Sequence, residues 1–165
     1  MGEDFISSPI FFIFFDFFIK KCYNKYIKVI GGKNMRRVII AGTREFNDAH
    51  LLFAIMDDYR RIAKEVGNDD NYEIVCGGAR GADAMGALWA YNRGLPVKHF
   101  LADWDKYGKS AGYKRNEKMA AYTSERNGML VAFWDEKSKG TEHMINLAKE
   151  YGLEVRIIKY AKEVE

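Results

Sequence analysis

The chain has 165 residues, 48% hydrophobic and 30% charged, with a formal net charge of +3, the arithmetic of one α/β-sized domain. Two prolines and 15 glycines exclude a collagen-like or Pro-rich chain, and a chain of this length buries a sizeable core without metal or disulfide staples. The two cysteines, Cys22 and Cys76, allow at most one pair and no Cys/His cluster has zinc-ligand spacing, so no metal is expected and a reduced, cytoplasmic setting is the simpler one.

The charge is unevenly placed. Of 26 Lys+Arg and 23 Asp+Glu, residues 1–34 take five and three, leaving 21 and 20, net +1, for the rest. The body therefore offers no global basic field to recruit nucleic acid. The leader also holds seven of the 11 phenylalanines, and its run from Ile10 to Ile19 is ten residues long with Asp16 inside it. A spanning helix needs ~20 apolar residues, so no transmembrane span is expected. The opening Met1-Gly2-Glu3-Asp4 and the Lys20-Lys21-Cys22-Tyr23 that follows the run do not fit a secretory signal. Ile6 stands where myristoylation wants Ser or Thr. The preferred reading is a foreign leader from an upstream start codon, ahead of a membrane-surface or partner-binding segment or an extra element covering the core, because Met35-Arg36-Arg37-Val38 is a natural beginning for a buried strand. The expected division is a leader over 1–34 and one domain over 35–165.

From Met35 onward β-rich runs alternate with helix-length segments, the pattern of parallel βαβ units. The first strand is expected at 38–41, and its loop Gly42-Thr43-Arg44 brings a hydroxyl and a cation to a strand end; a plain strand-to-helix turn is the rival reading. Phe46 is expected to pack rather than stack a base. Leu52, Ile55, Met56, Tyr59, Ile62, Ala63 and Val66 recur at helical spacing behind Asn47-Asp48, a capping pair, with Gly67 as the stop.

The second strand, 73–76, runs into Gly77-Gly78-Ala79-Arg80-Gly81-Ala82-Asp83. Glycines permit positive φ and close approach of backbone to a ligand, and the following helix, expected over 84–92, points free N–H groups at an anion. Arg80 adds a forked donor suited to phosphate. Asp83 suits either a ribose hydroxyl or the helix cap. Neither the Gly-x-Gly-x-x-Gly fingerprint nor a P-loop is present.

The third strand, 97–101, leads into a dense loop with Asp103, Trp104, Tyr107, Lys109, Gly112, Arg115 and Asn116, aromatic and cationic groups that suit a nucleobase and a phosphate. A third helix is expected over about 113–123. A fourth strand, 129–133, precedes Ser138-Lys139-Gly140-Thr141, where Thr141 either holds a phosphate or simply caps the helix at 141–151. A fifth strand is placed at 155–159. No nucleophile constellation stands out: Cys76 has no His near it in sequence, and His50, His99 and His143 fall on different elements as surface or packing residues. The carboxylates suited to acid or base work are Asp83, Asp103 and Asp135. The fold class is α/β, a Rossmann-like open parallel sheet of about five strands with helices on both faces, and every motif lies where such sheets bind ligands, beyond the carboxyl ends of the strands.

Gly42-Thr-Arg-Glu-Phe-Asn-Asp48, Val75-Cys-Gly-Gly-Ala-Arg-Gly-Ala-Asp83, Ala102-Asp-Trp104, Lys109-Ser-Ala-Gly112, Arg115-Asn116 and Ser138-Lys-Gly-Thr141 together resemble the YspA-type, cpYpsA-related branch of the SLOG superfamily over roughly residues 35–160. The resemblance implies a Rossmann-like sheet with a pocket for nucleotides or nucleotide-derived ligands, in a family found in bacteria and their phages. The stretch 77–83 is also similar to a signature of the Smf/DprA proteins, which bind single strands, and Gly140-Thr141 to part of the LOG phosphoribohydrolase motif. Met144 stands where the LOG catalytic Glu would be, which weighs against LOG-type hydrolysis.

The leading expectation is a sensor or sequestering module for a nucleotide or nucleotide-derived ligand. Its expected site is Gly42, Thr43, Arg44, Gly77, Gly78, Ala79, Arg80, Gly81, Asp83, Asp103, Trp104, Lys109, Gly112, Arg115, Asn116, Ser138, Gly140 and Thr141. One alternative is an N-glycosidase acting on a nucleoside monophosphate, with Asp83 or Asp103 as the catalytic candidates. The other, less favoured, is single-strand binding by Lys109, Lys114, Arg115 and Lys118 with aromatic stacking. No cofactor is implied, and pairing of two copies through helices is in keeping with the fold.

Overall fold

The computed structural model describes residues 35–66 and 71–160. The Phe-rich leader over 1–34 and Gly67, the expected helix stop, lie outside the described residues.

Five parallel strands form one sheet: β1 (Arg36–Gly42), β2 (Tyr72–Cys76), β3 (Val97–His99), β4 (Met129–Trp134) and β5 (Glu154–Lys159), in spatial order β3-β2-β1-β4-β5. The helices are α1 (Ala49–Glu65), α2 (Ala82–Asn92), the single turn α3 (Trp104–Tyr107), α4 (Ala111–Ser124) and α5 (Lys139–Glu150). The α/β class read from the alternating pattern is the observed one. Central strands covered on both faces need apolar residues at every position, and Val38, Ile39 and Ile40 are all fully buried. Ile39 and Ala41, with Leu130 and Ala132, pack under Met119 and Ala120 of α4 and Met144, Ile145 and Ala148 of α5. On the opposite face α2 comes so close that a Cβ on Gly86 would lie 2.6 Å from Ile40 Cγ2.

Asp48 caps α1 as its position suggested, Oδ1 accepting from Leu51 N at 2.8 Å. Three helices start earlier than expected, α2 opening at Ala82 behind its cap Gly81. α4 opens at Ala111 because a 3-10 turn over Gly108–Ser110 feeds directly into it. α5 opens at Lys139 because Ser138, not Thr141, is its cap. β3 ends at His99, two residues short of the expected stretch, since its partner β2 ends at Cys76. Phe100 N makes one last bond, to Cys76 O at 2.9 Å, and the chain then leaves the sheet for α3.

α1 and α2 are clamped by Asp57, whose carboxylate accepts from Trp89 Nε1 at 3.0 Å and from the Arg93 guanidinium. Burial alone would raise the pKa of Asp57, but the bonds from Arg93 and Trp89 outweigh it and hold the carboxyl below its ordinary value. A depressed folded-state pKa contributes stability that is present above the unfolded value and lost as pH falls below it. Asp57→Ala is thus expected to cost about 1 kcal/mol at pH 7, the lower end for charge-assisted bonds at a half-exposed site. In urea titrations the deficit should shrink as the pH is lowered through 4 to 3; an unchanged deficit would show that packing, not charge, holds the clamp.

The order of strands reverses between β1 and β4, so the connections leaving their carboxyl ends run to opposite sides of the sheet and leave a crevice at the switch point. Among the described residues no helix is long and apolar enough to cross a membrane.

Candidate functional site

Each wall of the crevice is built from a loop that leaves a strand end. Gly42, at the end of β1, lies so close to the neighbouring chain that a Cβ there would be 2.3 Å from Phe133 O and 2.8 Å from Ala82 Cβ. Thr43 is buried, and its hydroxyl accepts from Asp135 N at 3.4 Å, stitching the loop after β1 to the loop after β4. Phe46 packs on Phe133 and Tyr160, ring centres 4.9 and 5.0 Å away.

In the loop after β2, Gly81 is the N-cap of α2, without a side-chain cap. Asp83 therefore does not cap the helix. It lies inside the first turn and folds back on the loop, Oδ2 accepting from Gly77 N at 3.0 Å, with the N–H groups of Ala79 and Gly42 also bonded to it. Burial raises the pKa of this carboxyl; Arg115 and the three N–H groups oppose the rise. Asp83 thus fixes the curvature of a loop that two glycines leave free to bend.

The loop after β3 crosses over this one. Arg115, from the first turns of α4, donates through Nη1 to Gly77 O at 2.6 Å and through Nε to Asn116 Oδ1 at 3.1 Å. Asn116 is buried and donates to Gly140 O at 3.2 Å, so one adjacent pair joins α4 to both the β2 loop and the start of α5. Burial holds the pKa of Arg115 below its ordinary value; Asp83 counters the fall and the nearby Arg44 adds to it. At α5, Ser138 Oγ accepts from the hydroxyl of Thr141 at 3.0 Å and from Thr141 N at 3.4 Å.

Two adjoining cavities result. An inner one of about 220 Å³ is lined by Gly42, Arg44, Ala79, Asp83, Trp104, Lys109, Gly112, Arg115, Asn116, Ser138, Gly140 and Thr141, together with Ala41, Tyr113, Met119 and Met144. An outer one of about 660 Å³ is lined by Gly77, Gly78, Arg80, Leu101 and Ala102 and shares Arg44, Ala79, Trp104 and Arg115 with the first. All the residues of the expected ligand site line one or the other except three. Thr43 is spent on the β4 loop. Gly81 lies against the backbone of Thr43 and Arg44. Asp103 is exposed and caps α3, Oδ1 accepting from Lys106 N at 3.0 Å. Arg80 lines the outer cavity but is 76% exposed and pairs with Glu45 at 3.4 Å. Met119 and Met144 were missed because their helical spacing marks them only as core, and Leu101 because it reads as the end of a strand. In the folded chain Leu101 is 78% exposed beside Gly78.

The inner cavity carries three cations, Arg44, Lys109 and Arg115, against the single carboxylate of Asp83, which is already taken up by backbone donors. Trp104, half exposed, passes 3.6 Å from where a Gly112 Cβ would stand and offers its ring to both cavities. Such a lining has the chemistry to hold an anion with a flat apolar appendage. Among the described residues no group of three or more His, Cys, Asp or Glu is arranged to hold a metal ion.

One pairing corrects the sequence reading. Parallel pairing sets Cys76 opposite His99, bringing His99 Nδ1 to 3.5 Å from Cys76 Sγ, while His99 Nε2 meets the Tyr91 hydroxyl at 2.9 Å. Burial, and after it the charge of Asp83, pushes the thiol up to about 12, so Cys76 is no thiolate nucleophile at neutral pH. In a Cys22→Ser chain at pH 8, a disulfide reagent is expected to leave Cys76 unmodified in the folded protein and to label it fully in denaturant; rapid labelling in the folded protein would contradict this assignment.

Comparison with known proteins agrees with this architecture. A family model described as the YspA, cpYpsA-related SLOG family (YAcAr) matches residues 36–107, from β1 through α3. The gene 61 protein of Mycobacterium phage D29 is 34% identical over 127 residues, covering 73% of this chain and 94% of that protein. DNA processing protein A (DprA) of Streptococcus pneumoniae superposes with a TM-score of 0.59 at 15% identity, over 79% of this chain and 52% of DprA. The chain thus spans about half the length of DprA, and the likeness is one of fold.

Proposed function

The chain belongs to the YspA, cpYpsA-related SLOG family, and from that premise we propose that it binds a nucleotide or nucleotide-derived ligand at the switch point, as a sensor or sequestering module. One observation carries the reading: loops from four strand ends meet in a cleft where Arg44, Lys109 and Arg115 face a carboxylate already bonded to backbone N–H groups. The phosphate belongs with the guanidinium groups and the base with Trp104, and the polar side chains of Asn116 and Thr141 suit a hydroxyl-bearing group of the ligand.

Binding is favoured over N-glycosidic hydrolysis by the state of the two candidate carboxylates. Asp83 holds three loop N–H groups and Asp103 caps a helix outside both cavities, so neither is at liberty to activate water. A second reading, single-stranded nucleic acid along the rim, has its own support. Lys106 and Lys114 each stand 5.0 Å from the ring centre of Tyr107, near exposed Trp104 and Tyr113, a combination of cation and stacking surface that suits single strands.

Thermal-shift measurements with mononucleotides, ADP-ribose and cyclic nucleotides, backed by native mass spectrometry, test the proposal. A ligand at 100 times its Kd adds about 2.7 kcal/mol of stability. No shift with any compound at millimolar concentration overturns the reading. Release of free base would instead identify a hydrolase, and affinity for an oligonucleotide that falls steeply with salt would favour the rim.

A further inference from the structure

The two cavities are walls of one another, and their sizes and linings differ in a way that defines the shape of the ligand. The inner space, about 220 Å³, is smaller than the ~300–1,000 Å³ usual for a small-molecule site, whereas the outer space is about 660 Å³. Hydrogen-bonding side chains crowd the inner one: Asp83, Asn116, Ser138 and Thr141. The outer one has an apolar lip in Leu101, 78% exposed, and Trp104, 52% exposed. Arg44 and Arg115 line both, and so form a waist between the compartments.

The charges at this waist are unlike those elsewhere at the rim. Arg80, the cation within the glycine loop, is exposed, as Arg44 is, but is paired with Glu45. Arg44 has no ion-pair partner among the described residues, and Arg115 is anchored by Gly77 O and Asn116 Oδ1 through Nη1 and Nε only. Two guanidinium groups that repel one another across a shared cavity are relieved by an anion placed between them. Arg44 and Arg115, not Arg80, therefore make up the phosphate seat.

Resting on the nucleotide reading above, we infer that the site takes a two-lobed ligand: a pyrophosphate at the Arg44 and Arg115 waist, a nucleoside in the outer compartment against Leu101 and Trp104, and a second, sugar-sized polar group in the inner compartment. A nucleoside monophosphate fills the outer compartment and the waist and leaves the inner polar groups without a ligand contact.

Gly140 supplies a clean test, because a Cβ there meets nothing within 4 Å while the residue lines the inner compartment. Gly140→Leu therefore adds bulk at the edge of that compartment with no clash at Cβ, and a thermal melt checks the fold. Calorimetric titration of the full chain with AMP, ADP and ADP-ribose is expected to show ADP-ribose at least 10-fold tighter than AMP, and Gly140→Leu is expected to weaken ADP-ribose far more than AMP and so erase that advantage. Arg44→Ala should weaken ADP and ADP-ribose about 10-fold and Arg80→Ala by less than 2-fold. AMP as tight as ADP-ribose in the unmodified chain overturns the two-lobed assignment and leaves the nucleotide reading standing. An ADP-ribose advantage that survives Gly140→Leu also overturns it, and a larger loss from Arg80→Ala than from Arg44→Ala overturns the waist. If none of the three nucleotides binds, the nucleotide reading falls and this inference falls with it.

Discussion

Gly81→Ala is expected to lower the stability of the domain by about 3 kcal/mol, the sum of two independent costs. Gly81 has φ +80 and ψ −133, a region that residues with a side chain occupy at a cost of ~1–3 kcal/mol. The added Cβ would also lie 2.4 Å from Thr43 O and 2.6 Å from Arg44 O. Those are backbone atoms held by the end of β1, which no rotamer change can move, and overpacking of this kind costs a further ~1–3 kcal/mol. Separation of the two loops would also open the crevice at its floor. Urea unfolding gives the comparison, with Gly140→Ala as the control. There the Cβ meets open space in the first turn of α5, so stability should stay the same or rise by as much as ~1 kcal/mol. A Gly81→Ala protein within 1 kcal/mol of the unmodified chain would mean that the β1 and β2 loops are not in close register.

Gly77→Ala should act differently, with a small effect on stability and a large one on binding. Its Cβ would lie 2.1 Å from Arg115 Nη1 and 2.4 Å from Arg115 Cζ, the far end of a side chain that can swing away. Stability is expected to fall by about 1 kcal/mol for the lost bond from Nη1 to Gly77 O. The guanidinium leaves the waist, however, and a charge-assisted bond to phosphate is worth ~1.5–3 kcal/mol, so affinity for ADP-ribose should fall about 10- to 100-fold. Arg115→Ala should give a loss of similar size, and the double variant little more, because both changes remove the same group. Additive losses in that cycle would show that Gly77 contacts the ligand by itself.

The strands were legible in the sequence because a parallel sheet covered on both faces needs unbroken apolar runs, and Val38-Ile39-Ile40 and Met129-Leu130-Val131-Ala132-Phe133 are such runs. The helix caps were half legible. Asp48 acts where its position predicts, but Ser138 displaces Thr141, since a cap is chosen by which hydroxyl meets a free N–H and not by residue type alone. The short helix at Trp104 and the 3-10 turn behind it were hidden, because a single turn leaves no periodicity to detect.

From residue order alone the site could be located but not apportioned. Glycines, cations and aromatics after each strand end mark the carboxyl edge of a parallel sheet as the candidate site, and that much follows from local chemistry. The division of labour did not: that Asp83 shapes a loop, that Arg80 faces solvent beside Glu45, that Thr43 serves the loop after β4, and that Cys76 meets His99. These roles depend on distances between segments far apart in the chain, which are set by how β1 through β4 pair and how far each helix lies from the sheet. Residue types and their spacing determined the fold class and the edge of the sheet that carries the candidate site; strand register and helix packing alone decided which side chains share a cavity, because only they bring the four loops within hydrogen-bond reach of one another.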